Sequence, residues 1–316
     1  MTVTDSGIDL AIVGVGKIAR DQHIPAIRAG GQFRLAATVS RSGGVDGVEN
    51  HATLDALLTA RPDITAISFC NPPQVRYDGA RAALEAGRHV MLEKPPGASL
   101  AEVQDLAALA EAKGLTLYAT WHSRHAASVA NAKAWLADRI VREVRIDWKE
   151  DVRVWHPGQT WIWQAGGLGV FDPAINAFSI LTEILPVPVH VTMAELFFPS
   201  NCETPIAAEV QFKGPGMTAT ADLDFLYEGD PMWTMAVTTD AGTLILSQGG
   251  AVMEIDATAG AEWDVQPGIH GEYPALYGAF AGLLADGARE VDTRPLTLVA
   301  DAFMLGRRVT VAPFHE

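Results

Sequence analysis

The first thirty residues contain the feature that most constrains how this chain can fold. An apolar run, "IDLAIV", leads into the loop "GVGKIA", and a segment of helical composition follows. Gly14, Gly16 and Ala19 thereby form a GxGxxA pattern between a predicted strand and a predicted helix. In such a unit the first glycine permits a tight turn, the second lets the backbone approach a pyrophosphate, and the small third residue lets helix and strand pack. We therefore predict a dinucleotide site at this helix N-terminus, against the alternative of a plain turn.

Strand and helix signals continue to alternate as far as residue 122. We predict further strands in "FRLAATVS", "ITAISFC", "RHVMLEK" and "LTLYATWH", and helices in "TLDALLTA", "QVRYDGARAALEAG" and "LAEVQDLAALAEAKG". Strands that alternate with helices at this spacing favour a parallel sheet covered on both faces. Residues 1–122 are therefore expected to form a Rossmann dinucleotide-binding domain of the α/β class.

After residue 122 the pattern changes. A helical segment, "ASVANAKAWLADR", precedes "VREVRIDWKED", in which apolar and polar residues alternate. Further strand-like runs, separated by turn signals, are "AAEVQF", "TATADLDFL", "TMAVTTD" and "TLILSQ". The tail "RPLTLVADAFMLGRRV" reads as a closing helix, which could pack back on the first domain. This pattern predicts that residues 123–316 form a second α/β domain on a large, mainly antiparallel open sheet.

Composition excludes several classes of partner. A formal net charge of −15 argues against nucleic acid and against an anionic membrane surface, since both reward Lys and Arg. The two cysteines are far apart in sequence, and the nine histidines show no HxxxH or HxH spacing, so we expect neither a disulfide scaffold nor a metal site. We see no signal-peptide pattern and no apolar stretch of about 20 residues, and so expect a cytoplasmic protein.

The end of the second predicted strand bears on cofactor choice. A site for the ribose 2′-hydroxyl of NAD should have an Asp or Glu there, and this chain has Ser40 and Arg41 instead. A guanidinium suits a 2′-phosphate, so we expect NADP to be preferred and NAD to be tolerated; an exposed loop arginine is the alternative. Asn71, after the strand "ISFC", is a candidate contact to the ribose or nicotinamide, or the start of an Asn-Pro turn. Lys17 and Ile18, at the helix start, are further predicted cofactor contacts, as are Glu93 and Lys94 at the end of a later strand.

Three motifs together resemble one known family. Gly14-x-Gly16, the "EKP" of Glu93–Pro95, and "GGLGVFDPAIN" at 166–176 are similar to the Gfo/Idh/MocA oxidoreductases. The resemblance spans most of the chain, including the change from parallel to antiparallel sheet. Within the family, "RDQHIPAI", "WKEDVR" and "WHPGQ" resemble the bacterial enzymes that oxidise L-arabinose and D-galactose at C1. The resemblance implies hydride transfer from C1 of an aldopyranose to NAD(P)⁺, with an aldonolactone as product, and a homodimer or homotetramer paired through the C-terminal sheet.

The resemblance also implies catalytic residues. Lys94, at a predicted strand end, meets the substrate hydroxyl, where a cationic donor or a proton acceptor stabilises the developing alkoxide. Glu93 sets the cofactor or the lysine, and Pro95 stiffens the turn, either with or without a cis peptide bond. Asn176 stands where the family commonly has His; because asparagine cannot carry a proton at neutral pH, proton transfer falls to Lys94 or to Asp172. An N-cap role before proline is the alternative for Asp172.

The sugar contacts that the resemblance implies are His122, Glu150 and Trp155, with Lys94 and the Asp172–Asn176 pair. A carboxylate can hold sugar hydroxyls, and an indole offers a stacking face or an N–H donor. Trp161 and Trp163 are weaker candidates. Two rival functions stay open: an enzyme of the same fold acting on a polyol or dihydrodiol, and a non-catalytic dinucleotide-binding regulator.

Overall fold

A computed structural model describes residues 7–256 and 271–316 of the chain. Their contacts divide the protein into two compact units. The first unit runs to His122 and also includes Gly271–Thr293, and the second begins at Ser123 and includes Arg294–Glu316. The second domain was predicted to include all residues from 123 onward, whereas Gly271–Thr293 pack with the first unit.

The first unit is built on a six-stranded sheet in which every described pairing is parallel. The strand order is β3-β2-β1-β4-β5-β6. The strands are β1 (Ile8–Val13), β2 (Phe33–Val39), β3 (Glu49–His51), β4 (Ala66–Phe69), β5 (His89–Leu92) and β6 (Leu117–Ala119). This order and direction confirm the predicted Rossmann fold.

Helices cover both faces of this sheet. They are α1 (Ile24–Gly30), α2 (Leu54–Ala60), α3 (Tyr77–Glu85), α4 (Leu100–Lys113) and α8 (Glu272–Asp286), with a π-helical turn at Ala19–His23 before α1. On one face, Phe33 and Tyr118 pack against Tyr277 and Phe280 of α8. The aromatic side chains of α8 explain why this late segment joins the first unit, because they complete its core.

The second unit is built on an eight-stranded sheet in the order β13-β12-β11-β7-β10-β9-β8-β14. The strands are β7 (Val141–Lys149), β8 (His190–Pro199), β9 (Ala207–Gly214), β10 (Met217–Asp224), β11 (Met232–Thr239), β12 (Gly242–Ser247), β13 (Val252–Asp256) and β14 (Gly306–Val311). Neighbours pair antiparallel except β7 with β10 and β8 with β14, which are parallel. The prediction of a mainly antiparallel sheet is therefore confirmed, with a mixed character that the sequence did not reveal.

The helices of the second unit are α5 (Val129–Leu136), α6 (Val152–Trp155), α7 (Phe171–Ile184) and α9 (Arg294–Leu305). The predicted closing helix is correct only in its first part, since the chain becomes strand β14 after Leu305. A Cβ at Gly306 would lie 2.4 Å from the carbonyl oxygen of Ala302, and the β-branched residues that follow favour a strand. None of the described helices is long and apolar enough to cross a bilayer.

The topology of the first unit determines where ligands can bind. Parallel strands direct their carboxyl ends to the same edge of the sheet, and open α/β sheets bind ligands there. Gly14, Ser40, Asn71 and Glu93 each follow such a strand end closely. The predicted cofactor residues therefore lie along one edge of a single sheet.

Candidate active site

The glycine loop has the shape that a dinucleotide requires. Gly14 has φ of +90°, and a Cβ there would lie 2.7 Å from the backbone nitrogen of Asn71. Its N–H donates to the carbonyl oxygen of Val39 at 3.0 Å, which fixes the turn between strands. Around Gly16, in contrast, a Cβ would meet nothing within 4 Å. The loop is thus tightly packed at its first glycine and open at its second, where a pyrophosphate can approach the backbone.

The residues after the second glycine begin the π-helical turn. Lys17 is exposed and pairs with Asp21 one turn later. Ile18 is partly buried and precedes Ala19, the buried small residue of the pattern. The helix start therefore offers backbone N–H groups, with a side-chain cation beside them.

Asn71 has a buried acceptor that lacks a donor. Its side-chain nitrogen donates to the carbonyl oxygen of Val75 at 3.2 Å, so the predicted turn is present. Its Oδ1 is buried and accepts no hydrogen bond within the described part of the chain. Buried polar atoms almost always have partners, so a ligand donor such as a ribose hydroxyl or a carboxamide fits this position. Both interpretations of Asn71 are compatible with the structure.

Ser40 and Arg41 follow β2 at the surface. The hydroxyl of Ser40 lies 3.3 Å from that of Ser42. Arg41 is exposed, and among residues 7–256 and 271–316 no hydrogen bond or ion pair engages its guanidinium. No acidic residue lies within 40–45 to repel a phosphate. The loop can therefore receive an anionic group.

The turn after β5 contains Lys94. Its peptide bond to Pro95 is cis, and the lysine is partly buried between two buried neighbours. The Glu93 carboxylate faces the interior, where the hydroxyl of Tyr273 donates to Oε1 at 2.8 Å and His23 Nε2 lies 3.3 Å from the same oxygen. Of the two roles considered for Glu93, these contacts favour setting the lysine.

The charge states of Glu93 and His23 depend on each other. Burial opposes ionisation of Glu93, but the hydrogen bond and charge of His23, with the charges of His122 and Lys94, lower its pKa to about 2. Burial likewise opposes protonation of His23, yet its interactions with Cys70 and Tyr277 and its hydrogen bond to Glu93 raise its pKa well above the usual value. The pKa values shift in opposite directions, which favours a protonated imidazole beside an ionised carboxylate.

Arg76 is a site residue that sequence reasoning missed. It is 2% exposed, and its guanidinium donates to the main-chain oxygens of Asn71, Glu93 and Pro95. It therefore connects the loop after β4 with the turn after β5. Nothing in "QVRYDGA" distinguishes a buried arginine from a solvated one, so no sequence signal identified it.

His122 lies near the end of the first unit's sheet. Its Nδ1 is paired with the carboxylate of Glu272, and its ring stacks on Tyr273 at 5.3 Å with an interplanar angle of 20°. Both partners belong to α8, and Glu272 lies 150 residues after His122 in the sequence. His122 is thus fixed in orientation by the returning helix.

In the second unit, α7 carries Asp172 and Asn176 one turn apart. The helix begins at Phe171 with Val170 at the N-cap, so the alternative that Asp172 is the N-cap is wrong. Asp172 is 2% exposed, and its Oδ2 lies 3.8 Å from His156 Nδ1. A buried carboxylate close to an imidazole is a candidate for function.

Glu150 lies at the other end of the same imidazole. Its Oε1 is 3.0 Å from His156 Nε2, and its Oε2 accepts from the indole N–H of Trp233 at 2.7 Å. His156 is therefore hydrogen-bonded to Glu150 and lies close to Asp172. Neither His156 nor Trp233 was predicted as a candidate site residue, although His156 lies in the motif "WHPGQ".

The predicted tryptophans differ in environment. Trp155 is 42% exposed and meets Trp233 edge to face at 4.9 Å, so an indole surface is available beside Glu150. Trp163 is partly buried, and its ring packs against those of Phe225 and Phe314 at centroid distances of 5.8 and 5.0 Å. Trp161 is partly buried in the turn before α7.

The two units therefore offer different chemistry. The first has an open glycine loop, an orphaned buried acceptor and a fixed lysine turn, which fit a dinucleotide. The second has buried carboxylates, an imidazole and an exposed indole, which fit a ligand with several hydroxyl groups. Among the described residues, no group of three or more His, Cys, Asp or Glu is arranged to hold a metal ion.

Comparison with known proteins identifies the family. Residues 8–120 match the family GFO_IDH_MocA, described as an oxidoreductase family with an NAD-binding Rossmann fold. The chain is 44% identical to galactose 1-dehydrogenase of Pseudomonas fluorescens, over 98% of this chain and 99% of that protein. The protein belongs to the Gfo/Idh/MocA family of oxidoreductases, and it is an NAD(P)-binding enzyme.

Solved structures agree with the fold. D-galactose-1-dehydrogenase from Rhizobium etli superposes with a TM-score of 0.90 at 52% identity, covering 98% of each chain. The 3-ketoreductase KijD10 from Actinomadura kijaniata, in complex with NADP and TDP-benzene, gives a TM-score of 0.81 at 20% identity, covering 96% of this chain and 99% of that one. The latter likeness concerns the fold alone.

Proposed function

We propose that this protein oxidises C1 of an aldopyranose with NAD(P)⁺ and releases the aldonolactone, with D-galactose and L-arabinose as substrates. The observation that carries the proposal is a pair of buried carboxylates, Glu150 and Asp172, on either side of His156, which directly follows the exposed indole of Trp155. Two relatives that match nearly the whole chain are named for galactose 1-dehydrogenase activity, which supports the same choice.

Each residue has a task in this reaction. When bound, the nicotinamide supplies the hydride acceptor. Lys94 meets the C1 hydroxyl and either stabilises the developing alkoxide or takes its proton, with Asp172 as the alternative acceptor. Glu150 accepts hydrogen bonds from ring hydroxyls, Trp155 offers a stacking surface, and Asn176 orients a hydroxyl.

The substrate choice follows from shared stereochemistry. D-galactose and L-arabinose have the same configuration of ring hydroxyls and differ mainly at the exocyclic carbon. Carboxylate and amide groups that bind the ring hydroxyls would therefore accept both sugars, since a difference of one carbon group changes binding by only about 1–3 kcal/mol.

NADP is proposed as the preferred cofactor. The exposed Arg41 guanidinium and the Ser40 hydroxyl provide donors for a 2′-phosphate after β2. NAD remains usable because neither group obstructs a free ribose hydroxyl. A cytoplasmic location is part of the same proposal and is testable by cell fractionation.

The function is tested with purified protein, both cofactors and a panel of aldoses, polyols and dihydrodiols. We expect reduced cofactor to form with D-galactose and L-arabinose, and lactone to be detected by its reaction with hydroxylamine. Turnover of a polyol or dihydrodiol alone would indicate the rival substrate class. Cofactor binding without turnover of any alcohol would indicate a regulator, and either result would contradict the proposal.

We further propose that a second copy of the chain covers the outer face of the eight-stranded sheet. That face contains a cavity of about 520 Å³, whose lining includes the apolar Met193 and Leu305 beside the charged Arg145, Glu195 and Asp222. Met193 and Leu305 are 52% and 53% exposed. Exposed apolar side chains grouped with charges of both signs are suited to self-association.

A further inference from the structure

The turn that presents Lys94 is held from two sides, by a buried arginine and by a buried histidine. On the main-chain side, Arg76 donates to the carbonyl oxygens of Glu93 and Pro95, the residues immediately before and after the lysine. The same guanidinium donates to Asn71, so the lysine turn and the Asn71 loop are connected through one side chain.

On the other side of the turn, the Glu93 side chain is held by buried residues. Its Oε1 receives the hydroxyl of Tyr273 at 2.8 Å and lies 3.3 Å from His23 Nε2. The other nitrogen of His23 lies 2.8 Å from the hydroxyl of Tyr277. His23, Tyr273 and Tyr277 are all at most 4% exposed, so solvent does not compete for these hydrogen bonds.

This arrangement is a poor way to gain stability alone. Removing both members of an ion pair from water costs several kcal/mol per ion, and apolar replacements of similar volume are often as stable. It is, however, an effective way to fix a backbone segment, because each contact has a defined direction. With Glu93 and Pro95 both held, the position of the Lys94 Cα is determined and its own rotamers supply the remaining freedom.

We propose that His23 and Arg76 are positioning residues for Lys94, and that Glu93 anchors the turn rather than binding the cofactor. Arg76 holds the main chain on both sides of the lysine, and His23 holds the Glu93 carboxylate. This inference rests on the proposed function, since it assigns the two residues to the reaction of Lys94.

The kinetic test compares His23→Gln with the wild-type enzyme in two backgrounds. We expect kcat to fall by up to about 10²-fold, as for a displacement of about 1 Å, with KM for the sugar little changed. In the Lys94→Ala background, adding His23→Gln should change the residual rate by less than about twofold, because the two residues act as a unit. His190→Gln, at an exposed histidine, is the matched control and should keep wild-type kinetics.

Three outcomes would overturn the proposal. An equal loss in both backgrounds would show that His23 acts on folding and not through Lys94. Weaker NADP binding by Glu93→Gln, measured by fluorescence titration, would show that Glu93 contacts the cofactor. If His23→Gln fails to fold, Tyr273→Phe removes one hydrogen bond to the same carboxylate, and wild-type kcat in that variant would count against the anchor.

A second readout is independent of any sugar. The Glu93 amide donates to the Phe69 carbonyl oxygen at 3.0 Å, and its hydrogen exchange can be followed by mass spectrometry. Arg76→Met and His23→Gln should accelerate exchange in the segment 90–98, whereas Arg81→Met, at a partly buried position of helix α3, which follows Arg76, should not. Unchanged exchange would refute the positioning role. A wild-type protein that oxidises no aldose would instead refute the proposed function and leave the exchange result to decide the role of the two residues.

Discussion

At the scale of single residues, each unit contains buried carboxylates that lie beside histidines. Glu93 is paired with His23, and both Glu150 and Asp172 approach His156. Each carboxylate is at most 3% exposed, so nearby polar groups must offset its loss of hydration. The chemistry of the site is therefore set by pairs of residues.

The His23–Glu93 pair leads to a prediction about pH. Because the pKa of His23 is raised in the folded state, its contribution to stability is full below its unfolded value of about 6.5 and declines as pH rises towards the folded value. We expect the difference in Tm between wild type and His23→Gln to be larger at pH 6 than at pH 9, as measured by calorimetry.

Neighbouring groups do not reverse this sign. The groups near the pair are Lys94, His122, Cys70, Glu272, Tyr273 and Tyr277. The Glu93 contribution is lost only as pH falls from about 4.5 towards 2, and burial raises the pKa of Tyr277 to about 12. An equal difference in Tm at both pH values would show that His23 is not charged in the folded protein.

Arg41 gives a prediction about cofactor choice. Charge-assisted hydrogen bonds to a phosphate contribute about 1.5–3 kcal/mol, so Arg41→Asp should lower the NADP/NAD ratio of kcat/KM by roughly 10- to 100-fold. Arg28→Asp, at an exposed position of α1, is the charge-matched control. An unchanged ratio in Arg41→Asp would remove the proposed role in phosphate binding.

In each carboxylate–histidine pair, the sequence identified the carboxylate as a candidate site residue but not the role of the histidine. Motifs predicted the carboxylates and Lys94 as candidate site residues. They did not predict a site role for Arg76 or His156, or that His23 would hold the Glu93 carboxylate. The reason is that motifs are local, while Tyr273 lies 180 residues from the carboxylate that it contacts. An isolated His or Arg in a sequence carries no sign of which distant carboxylate or carbonyl it will meet.

At the scale of elements, turns and helix starts position these side chains. The first strand–loop–helix unit and most strands were predictable, because hydrophobic periodicity and turn residues are signals that a short segment contains by itself. The parallel pairings of β7 with β10 and of β8 with β14 could not be predicted, since the partner of a strand depends on the packing of the whole sheet. The start of α7 was misjudged as an alternative for Asp172 because an Asp-Pro pair also fits a helix cap.

Gly169 tests how α7 is positioned. It has φ of +56°, and a Cβ would lie 2.2 Å from the carbonyl oxygen of Pro205. We expect Gly169→Ala to destabilise the enzyme by more than about 1 kcal/mol and to lower kcat by displacing Asp172. Gly216→Ala is the control: its φ is +73°, but nothing lies within 4 Å of the added methyl group. Equal loss of Tm in both variants would show that the close approach to Pro205 is unimportant.

At the scale of the whole molecule, the proposed self-association depends on the outer face of the second unit's sheet. Leu305→Asp would place a charge among the apolar side chains at the cavity, so we expect the mass in light scattering to fall to that of one chain. Ile140→Asp, at another exposed apolar position of the same unit, should leave the mass unchanged. A wild-type protein of one-chain mass would contradict the proposed pairing.

The central claim is that hydride leaves C1 of an aldopyranose, and isotope transfer tests it most directly. D-galactose deuterated at C1 is incubated with NADP⁺ and the enzyme, and the reduced cofactor is analysed by mass spectrometry. The account predicts that the reduced cofactor gains one deuterium while the lactone carries none at C1. Reduced cofactor without deuterium, or no reduction with any aldose, would contradict it.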